Sequence, residues 1–335
     1  MQNLLIDLND YQLLRVSGED ARTFLQGQVS CDVNKLSQDK SLNGVICNIK
    51  GRVIVDFRLL AQGDDCLLLV DGDMAHSCKA VLEKYAVFSK VKIHIEEQTM
   101  LRYGLLGDSA AALIAALFQD CPSNTDQVQL NPEATVIKVA GHTPRFEIWF
   151  NPSEQSATLA DLIAALSNTS AELPSYSQGD YQQWLAQDIV NGILHISAAL
   201  SGLYTPQLLN YDISGLVDFN KGCYTGQEIV ARMYYRGKAK KRLFAAKLEI
   251  DTLSEPANLS EPLTVSYQLD NTSQQEAVIS HSNSNNALYL LLILPSQLIE
   301  EESPIYLSER PDIPLEILSL PYTTLGNTAG MNAKD

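Results

Sequence analysis

Residues 221–228, Lys221-Gly222-Cys223-Tyr224-Thr225-Gly226-Gln227-Glu228, place an ammonium, a thiol, an amide and a carboxylate around two glycines four residues apart. Glycines at that spacing let backbone N–H groups approach a ligand closely, and Gln227 with Glu228 offers the donors and acceptors that suit a planar heterocycle. Glu228 precedes Arg232 by four residues, a pairing that supports a helix starting near Thr225. At such a start, Cys223 would gain thiolate character from the helix dipole and from Lys221. A second use of the thiol fits the same residues: a small buried cysteine packed in a glycine-rich turn. A nucleophilic cysteine needs a histidine, but His76, His94, His142, His195 and His281 all lie far from Cys223 in the sequence, so spacing does not decide a pairing.

Charge is distributed unevenly around this segment. The 335-residue chain carries a net charge of −16, which disfavours sequence-independent nucleic-acid binding, and no DNA contact is expected. Between 221 and 247, however, eight basic residues (Lys221, Arg232, Arg236, Lys238, Lys240, Lys241, Arg242 and Lys247) face one acid, Glu228. A local stripe of that kind, interleaved with Tyr234 and Tyr235, would steer an anionic ligand or a docked RNA. The same lysines could instead belong to a solvated helix end and a strand edge protected from pairing.

The elements that must hold these residues alternate between the strand and helix periods. Residues 11–16 read as a strand, and Ser17-Gly18-Glu19-Asp20 as a capping box opening a helix through Gln26. Segments 42–49, 52–61 and 66–71 form a meander, followed by a helix over 73–86 and a strand over 87–95. A similar set follows: a strand at 101–106, a helix at 108–119, strands at 135–139 and 145–150, and a helix from about Ser153. Residues 175–179 read as a loop and 180–191 as a helix bearing Trp184 that Gly192 ends. After a strand at 243–250, short strands to 320 argue for a separate β unit. The pattern is α+β, with two ferredoxin-like units over 1–96 and 97–236, the second including the octapeptide segment that returns to the first, and a β unit over 237–330. Hydrophobic content of 45% suits a globular core. Six cysteines without C-x-x-C spacing argue against a disulfide framework or a metal site, and the amino terminus argues against export, so a cytoplasmic location is expected. The apolar run 287–294 stops at Pro295, too short for a membrane span, and reads as a buried strand.

The octapeptide resembles the K-G-C-[FY]-x-G-Q-E motif of the YgfZ family, folate-binding tRNA-modifying proteins related to the aminomethyltransferase (T-protein) of the glycine cleavage system. Phe24-Leu25-Gln26-Gly27-Gln28-Val29-Ser30-Cys31-Asp32-Val33 is similar to the family's F-L-Q-G-Q-x-x-x-D-V stretch. Lys84-Tyr85-Ala86-Val87-Phe88-Ser89-Lys90-Val91 and Leu320-Pro321-Tyr322 extend the likeness over nearly the whole chain.

The resemblance implies a T-protein-like fold with a C-terminal β-barrel, and tetrahydrofolate or a folate derivative as ligand. Of two tryptophans that contact folate in relatives, one corresponds to Trp184, while Tyr11 occupies the other position. A glutamate that relatives carry two residues before the glycine is replaced here by Val190. Asp56 matches the aspartate that aminomethyltransferases hold near the reactive folate nitrogen, although a strand carboxylate facing water or paired with Arg52 or Arg58 is the commoner arrangement. Catalytic candidates are thus Cys223 and Asp56. Binding candidates are Tyr11, Trp184, Lys221, Gly222, Tyr224, Gly226, Gln227, Glu228 and Arg232, in a pocket lined by Tyr11, Trp184 and the octapeptide. The expected function is a folate-binding accessory protein in tRNA modification, acting through iron–sulfur enzyme maintenance, with tRNA or such enzymes meeting residues 232–247. One-carbon transfer to tetrahydrofolate and a non-catalytic RNA or protein interaction module are the alternatives, so whether the chain is an enzyme stays open.

Overall fold

The computed structural model describes residues 2–8, 10–97, 100–153, 157–167, 173–237, 239–249 and 262–324. Three sheets carry the fold. The first orders its strands Leu42–Cys47, Val53–Gln62, Asp65–Asp71, Tyr11–Ser17 and Lys92–Ile95, all antiparallel. The second orders Tyr176–Gln178, Asn3–Asp7, Leu101–Leu106, Arg145–Phe150, Ala134–Lys138 and Val128–Leu130. The third is a curled, half-barrel sheet of seven strands, from Arg310–Pro314 through Ala287–Pro295 and Lys241–Glu249 to Glu316–Leu318. No helix among the described residues is long and apolar enough to cross a membrane.

The first two sheets are buried on both faces, and that decides where the functional side chains go. Alternate residues of a strand point to opposite faces. On Val53–Gln62, Val55, Phe57, Leu59 and Ala61 join the core under the helices Ala21–Gln26 and Ala75–Tyr85. On Arg145–Phe150, Phe146, Ile148 and Phe150 pack in the core of the helices Ala110–Phe118 and Leu159–Ser167. The intervening residues, Asp56, Arg58 and Leu60 on one strand and Arg145, Glu147 and Trp149 on the other, turn towards the space between the sheets. Tyr11, Leu60, Leu67, Leu69, Ile137 and Trp149 close part of that space with an apolar cluster.

The helix Tyr181–Val190 bridges the second and third sheets. Asp180 caps it with a full capping box, its side chain accepting from the Gln183 N–H while the Gln183 side chain accepts from the Asp180 N–H. Its other end is a Schellman motif: the Gly192 N–H donates to the Ile189 carbonyl and the Ile193 N–H to the Asp188 carbonyl, with Gly192 at φ +65°. The Ser282 hydroxyl donates to the Gln182 carbonyl from the third sheet.

Four local expectations change. Ser17-Gly18-Glu19-Asp20 makes no side-chain cap; the Asp20 carboxylate accepts from the Lys90 N–H instead. Within the expected strand 87–95 only Lys92–Ile95 pairs, because residues 87–90 form turns that leave Val87 and Phe88 exposed. Residues 176–178, expected as loop, add a parallel strand beside Asn3–Asp7. Asn3–Asp7 itself joins the second sheet, so the amino terminus crosses the expected boundary at 96/97.

A methyl group on Gly192 would sit 2.3 Å from the Tyr322 Oη on a backbone already in the left-handed region. Gly192→Ala is expected to lower stability by about 1–3 kcal/mol, read by denaturant unfolding.

Candidate functional site

Between the first two sheets and the helix Tyr181–Val190 lies a cavity of about 200 Å³, whose wall includes Tyr11, Asp56, Arg58, Asp71, Arg102, Glu147, Trp184, Asp188, Asn191, His195 and Tyr322. Its lining is rich in ionisable groups, and nearly all are matched. The Asp56 carboxylate takes the His195 Nδ1 at 2.8 Å on one oxygen and the Ile196 N–H at 2.7 Å on the other. The Schellman turn at Gly192 makes this possible by folding 193–196 back across the strand that carries Asp56. Asp56 therefore pairs with neither Arg52 nor Arg58. The Arg58 guanidinium lies 2.7 Å from Asp126 and 3.6 Å from Glu147.

Burial works against the positive charge on His195, but the Asp56, Asp188 and Glu147 carboxylates outweigh it and hold the imidazole up at about 9. Glu147 is opposed by burial in the same way, yet Arg58 and Arg102 bring it below the usual carboxylate range. Burial lowers Arg102, whose guanidinium lies 4.6 Å from the Tyr11 ring centre. It also raises the Tyr11 phenol well above its ordinary value. Burial pushes Asp71 up to about 6, making it a cavity carboxyl able to exchange a proton near neutrality.

Trp184 is 3% exposed and is packed more than it is presented. The Arg145 guanidinium lies 5.0 Å from its ring centre, and Gly104 lets the ring lie on the strand backbone, where any Cβ would sit 2.5 Å from Trp184 Cε3. Arg145 in turn sits 2.8 Å from Asp188, both side chains almost fully buried. Val190 is not part of the cavity wall.

The structure brings Tyr11, Asp56 and Trp184 together in this cavity and leaves Lys221–Glu228 and Arg232 outside it. The octapeptide packs instead against the Phe24–Val33 stretch. Lys221 turns inwards, its ammonium donating to the Gln26 and Val29 carbonyls at the end of the helix Ala21–Gln26, where carbonyls lack helical partners. Burial lowers Lys221, and the thiol whose charge acts on it is that of Cys31. Thr225 Oγ1 donates to Gln28 Oε1 at 3.1 Å, and Gln227 Oε1 accepts from the Tyr224 N–H. Tyr224 is buried beside Cys47, Val53 and Val230. Gly226, at φ +84°, starts the helix Gln227–Arg236 against the Asn48 carbonyl. What the octapeptide leaves exposed is Gly222, Cys223 and, in the first turn of the helix, Glu228, so the packed-thiol alternative does not hold.

Part of the basic stripe is spent on structure. Arg242 is buried in a bidentate pair with Asp212 at 2.8 and 3.0 Å, Lys241 pairs with Glu276, and Lys247 with Glu249. Lys238 lies outside the described residues. Arg232, Arg236 and Lys240 remain exposed, beside Tyr234 stacked on Phe219 and the exposed Tyr235.

Sequence reasoning did not single out His195, Glu147, Arg102, Arg145 or Asp188. The signal for three of them was available: Arg102, Arg145 and Glu147 occupy alternate positions in otherwise apolar strands, a pattern that puts charge on a buried face.

No family model matches the chain. The tRNA-modifying protein YgfZ of Colwellia psychrerythraea is 34% identical over 250 residues, covering 75% of this chain and 73% of that protein. The tRNA-modifying protein YgfZ of Escherichia fergusonii is 35% identical over 241 residues, 72% of this chain and 70% of that protein. Among solved structures, the glycine cleavage system aminomethyltransferase T of Bartonella henselae shares the fold, with a TM-score of 0.72 at 17% identity over 96% of this chain and 86% of that one.

The raised His195 has a definite pH signature. The fold favours the imidazolium, so the stabilisation is complete below the ordinary histidine value of about 6.5 and is lost as pH rises through about 9. Melting temperatures of the unaltered protein should fall between those limits relative to His195→Gln. In Asp56→Asn, the His195 ring resonances should titrate at distinctly lower pH.

Proposed function

This chain belongs to the YgfZ family of tRNA-modifying proteins, and on that premise we propose that it acts in tRNA modification as a folate-binding protein whose cavity takes tetrahydrofolate and whose exposed Cys223 meets a partner. The observation that carries the reading is the cavity itself: an enclosed space that combines Tyr11, Trp184 and a matched set of buried charges suits a flat, polar heterocycle. The partner is tRNA or an iron–sulfur enzyme that acts on tRNA, approached across Cys223 and the face of Arg232, Arg236 and Lys240.

The octapeptide supports a division of labour. Lys221, Tyr224, Thr225, Gly226 and Gln227 are occupied in anchoring the loop, and a Cβ added to Gly222 would meet nothing within 4 Å. A small residue at 222 with no internal steric reason fits close approach by a partner to the thiol beside it. One-carbon transfer with Asp56 as proton acceptor has less support, because both Asp56 oxygens already accept hydrogen bonds and His195 supplies the balancing charge.

Tetrahydrofolate titration followed by tryptophan fluorescence tests the ligand. The chain has two tryptophans, Trp149 and Trp184, and saturable quenching should be largely lost in Trp184→Phe while calorimetry still detects binding. Absence of binding to the unaltered protein would remove the folate reading. Cys223→Ser should leave unfolding stability within about 0.5 kcal/mol and folate affinity intact. It should nonetheless abolish the protein's contribution to modified-nucleoside content in cellular tRNA.

A further inference from the structure

The helix Gln227–Arg236 carries a small aromatic corner at its far end. The Phe219 and Tyr234 rings stack, with centres 3.7 Å apart and planes 14° from parallel. Tyr235 stands edge-on to both, 6.1 Å from Phe219 and 5.0 Å from Tyr234. The stacked pair is half-buried, whereas Tyr235 is 55% exposed. Each ring is packed on the other two, so little rotamer freedom is left to lose when a further flat group lies on the corner.

Charge around the corner is predominantly positive. Arg232 and Arg236, one turn apart on the same helix, are exposed, and so is Lys240 just beyond it. The turn 48–51 packs on the start of this helix, where a Cβ on Gly51 would sit 3.0 Å from Ile229. It brings two more exposed cations from the first sheet, Lys50 and Arg52, the latter also donating to the Leu203 carbonyl. Of the three acids between 212 and 242, Asp212 is taken by Arg242 and Asp218 by Lys35, which leaves Glu228 exposed. A chain of net charge −16 thus repels a polyanion over most of its surface and admits it here.

Resting on the tRNA-modification reading, we infer that this face takes unpaired nucleotides of an RNA loop, a base lying on the aromatic corner at Tyr235 and the flanking phosphates against Arg232, Arg236 and Lys240. The strand continues towards the start of the helix, where Lys50 and Arg52 stand. An unpaired base offers its π face to a side chain, whereas a duplex keeps that face inside the stack. Tyrosine and arginine also serve protein interfaces, but an excess of exposed cations with one free acid complements a phosphate backbone better than a protein surface of mixed charge.

The test follows the fluorescence anisotropy of a labelled single-stranded RNA of about 12 nucleotides, and of the same strand in a duplex, with the full-length protein over a range of salt concentrations. The single strand should bind at least about tenfold more tightly than the duplex. Tyr235→Ala should weaken single-strand binding at least about fivefold at every salt concentration, and Tyr235→Phe should retain it, because stacking needs the ring and not the hydroxyl. Arg232→Gln combined with Arg236→Gln should instead flatten the slope of log affinity against log salt by about one. Unfolding checks Tyr235→Ala; if that variant does not fold, the comparison of strand with duplex on the unaltered protein still decides. Equal affinity for strand and duplex, or single-strand binding unchanged in a folded Tyr235→Ala, would overturn the inference. So would a protein that binds no RNA while Tyr235→Ala lowers modified-nucleoside content in cellular tRNA: the face would then meet a partner enzyme, and the tRNA-modification reading would stand. Modified nucleosides unchanged in cells that lack the whole chain would remove that reading and the inference together.

Discussion

The fold depends most on one buried ion pair, Arg145 with Asp188, both side chains shut away from solvent. Removing one member of such a pair typically costs about 3–5 kcal/mol, a large part of the 5–15 kcal/mol that separates a domain from its unfolded state. The pair ties the second sheet to the helix Tyr181–Val190, and the same guanidinium covers Trp184. Everything downstream follows from the position of that helix. Its capped end turns the chain at Gly192, the turn delivers His195 to Asp56, and its outer side receives the third sheet through Ser282.

Charge on the inner faces of the sheets has a second consequence. Asp56, Arg58, Arg102 and Glu147 could not be tolerated singly in an interior, and each is compensated by a neighbour from a different element. The compensation holds the walls of a cavity apart where apolar side chains would close it. Leu60, Leu67 and Trp149 do close the space next to it, with Tyr11 and Leu69 shared between the two.

The octapeptide and the cavity answer different needs. Lys221 and Thr225 join the loop to the Phe24–Val33 stretch, so the two motifs that stand nearly 200 residues apart in the chain form one structural unit. Anchored in this way, the loop holds Gly222 and Cys223 at the surface. Half of the described basic residues that follow, Lys241, Arg242 and Lys247, are held in ion pairs, Arg242 with Asp212 above all, which leaves a smaller exposed cationic face than the composition of 221–247 implies.

Much of the secondary structure was legible because it rests on local periodicity and caps: the strands around Tyr11, Val53 and Arg145, the helix bearing Trp184 and its end at Gly192. The turns at 87–90 were not, since an apolar run resembles a strand whether or not another strand lies beside it, and Val87 and Phe88 face solvent. The short strands Asn3–Asp7 and Tyr176–Gln178 exist only through each other and Leu101–Leu106. The family motifs, Trp184, Tyr11 and Asp56 were likewise readable from residue type and order. Which of them share a site was not, because hydrogen bonds and ion pairs between residues 139 positions apart, as for Asp56 and His195, leave no trace in spacing. Residue order carried most of the elements and the family; contacts between distant elements were needed to bring Asp56 to His195, to turn Lys221 inwards and to leave Cys223 at the surface. Local propensity acts over a few residues, whereas the packing that compensates buried charge is set by the whole chain.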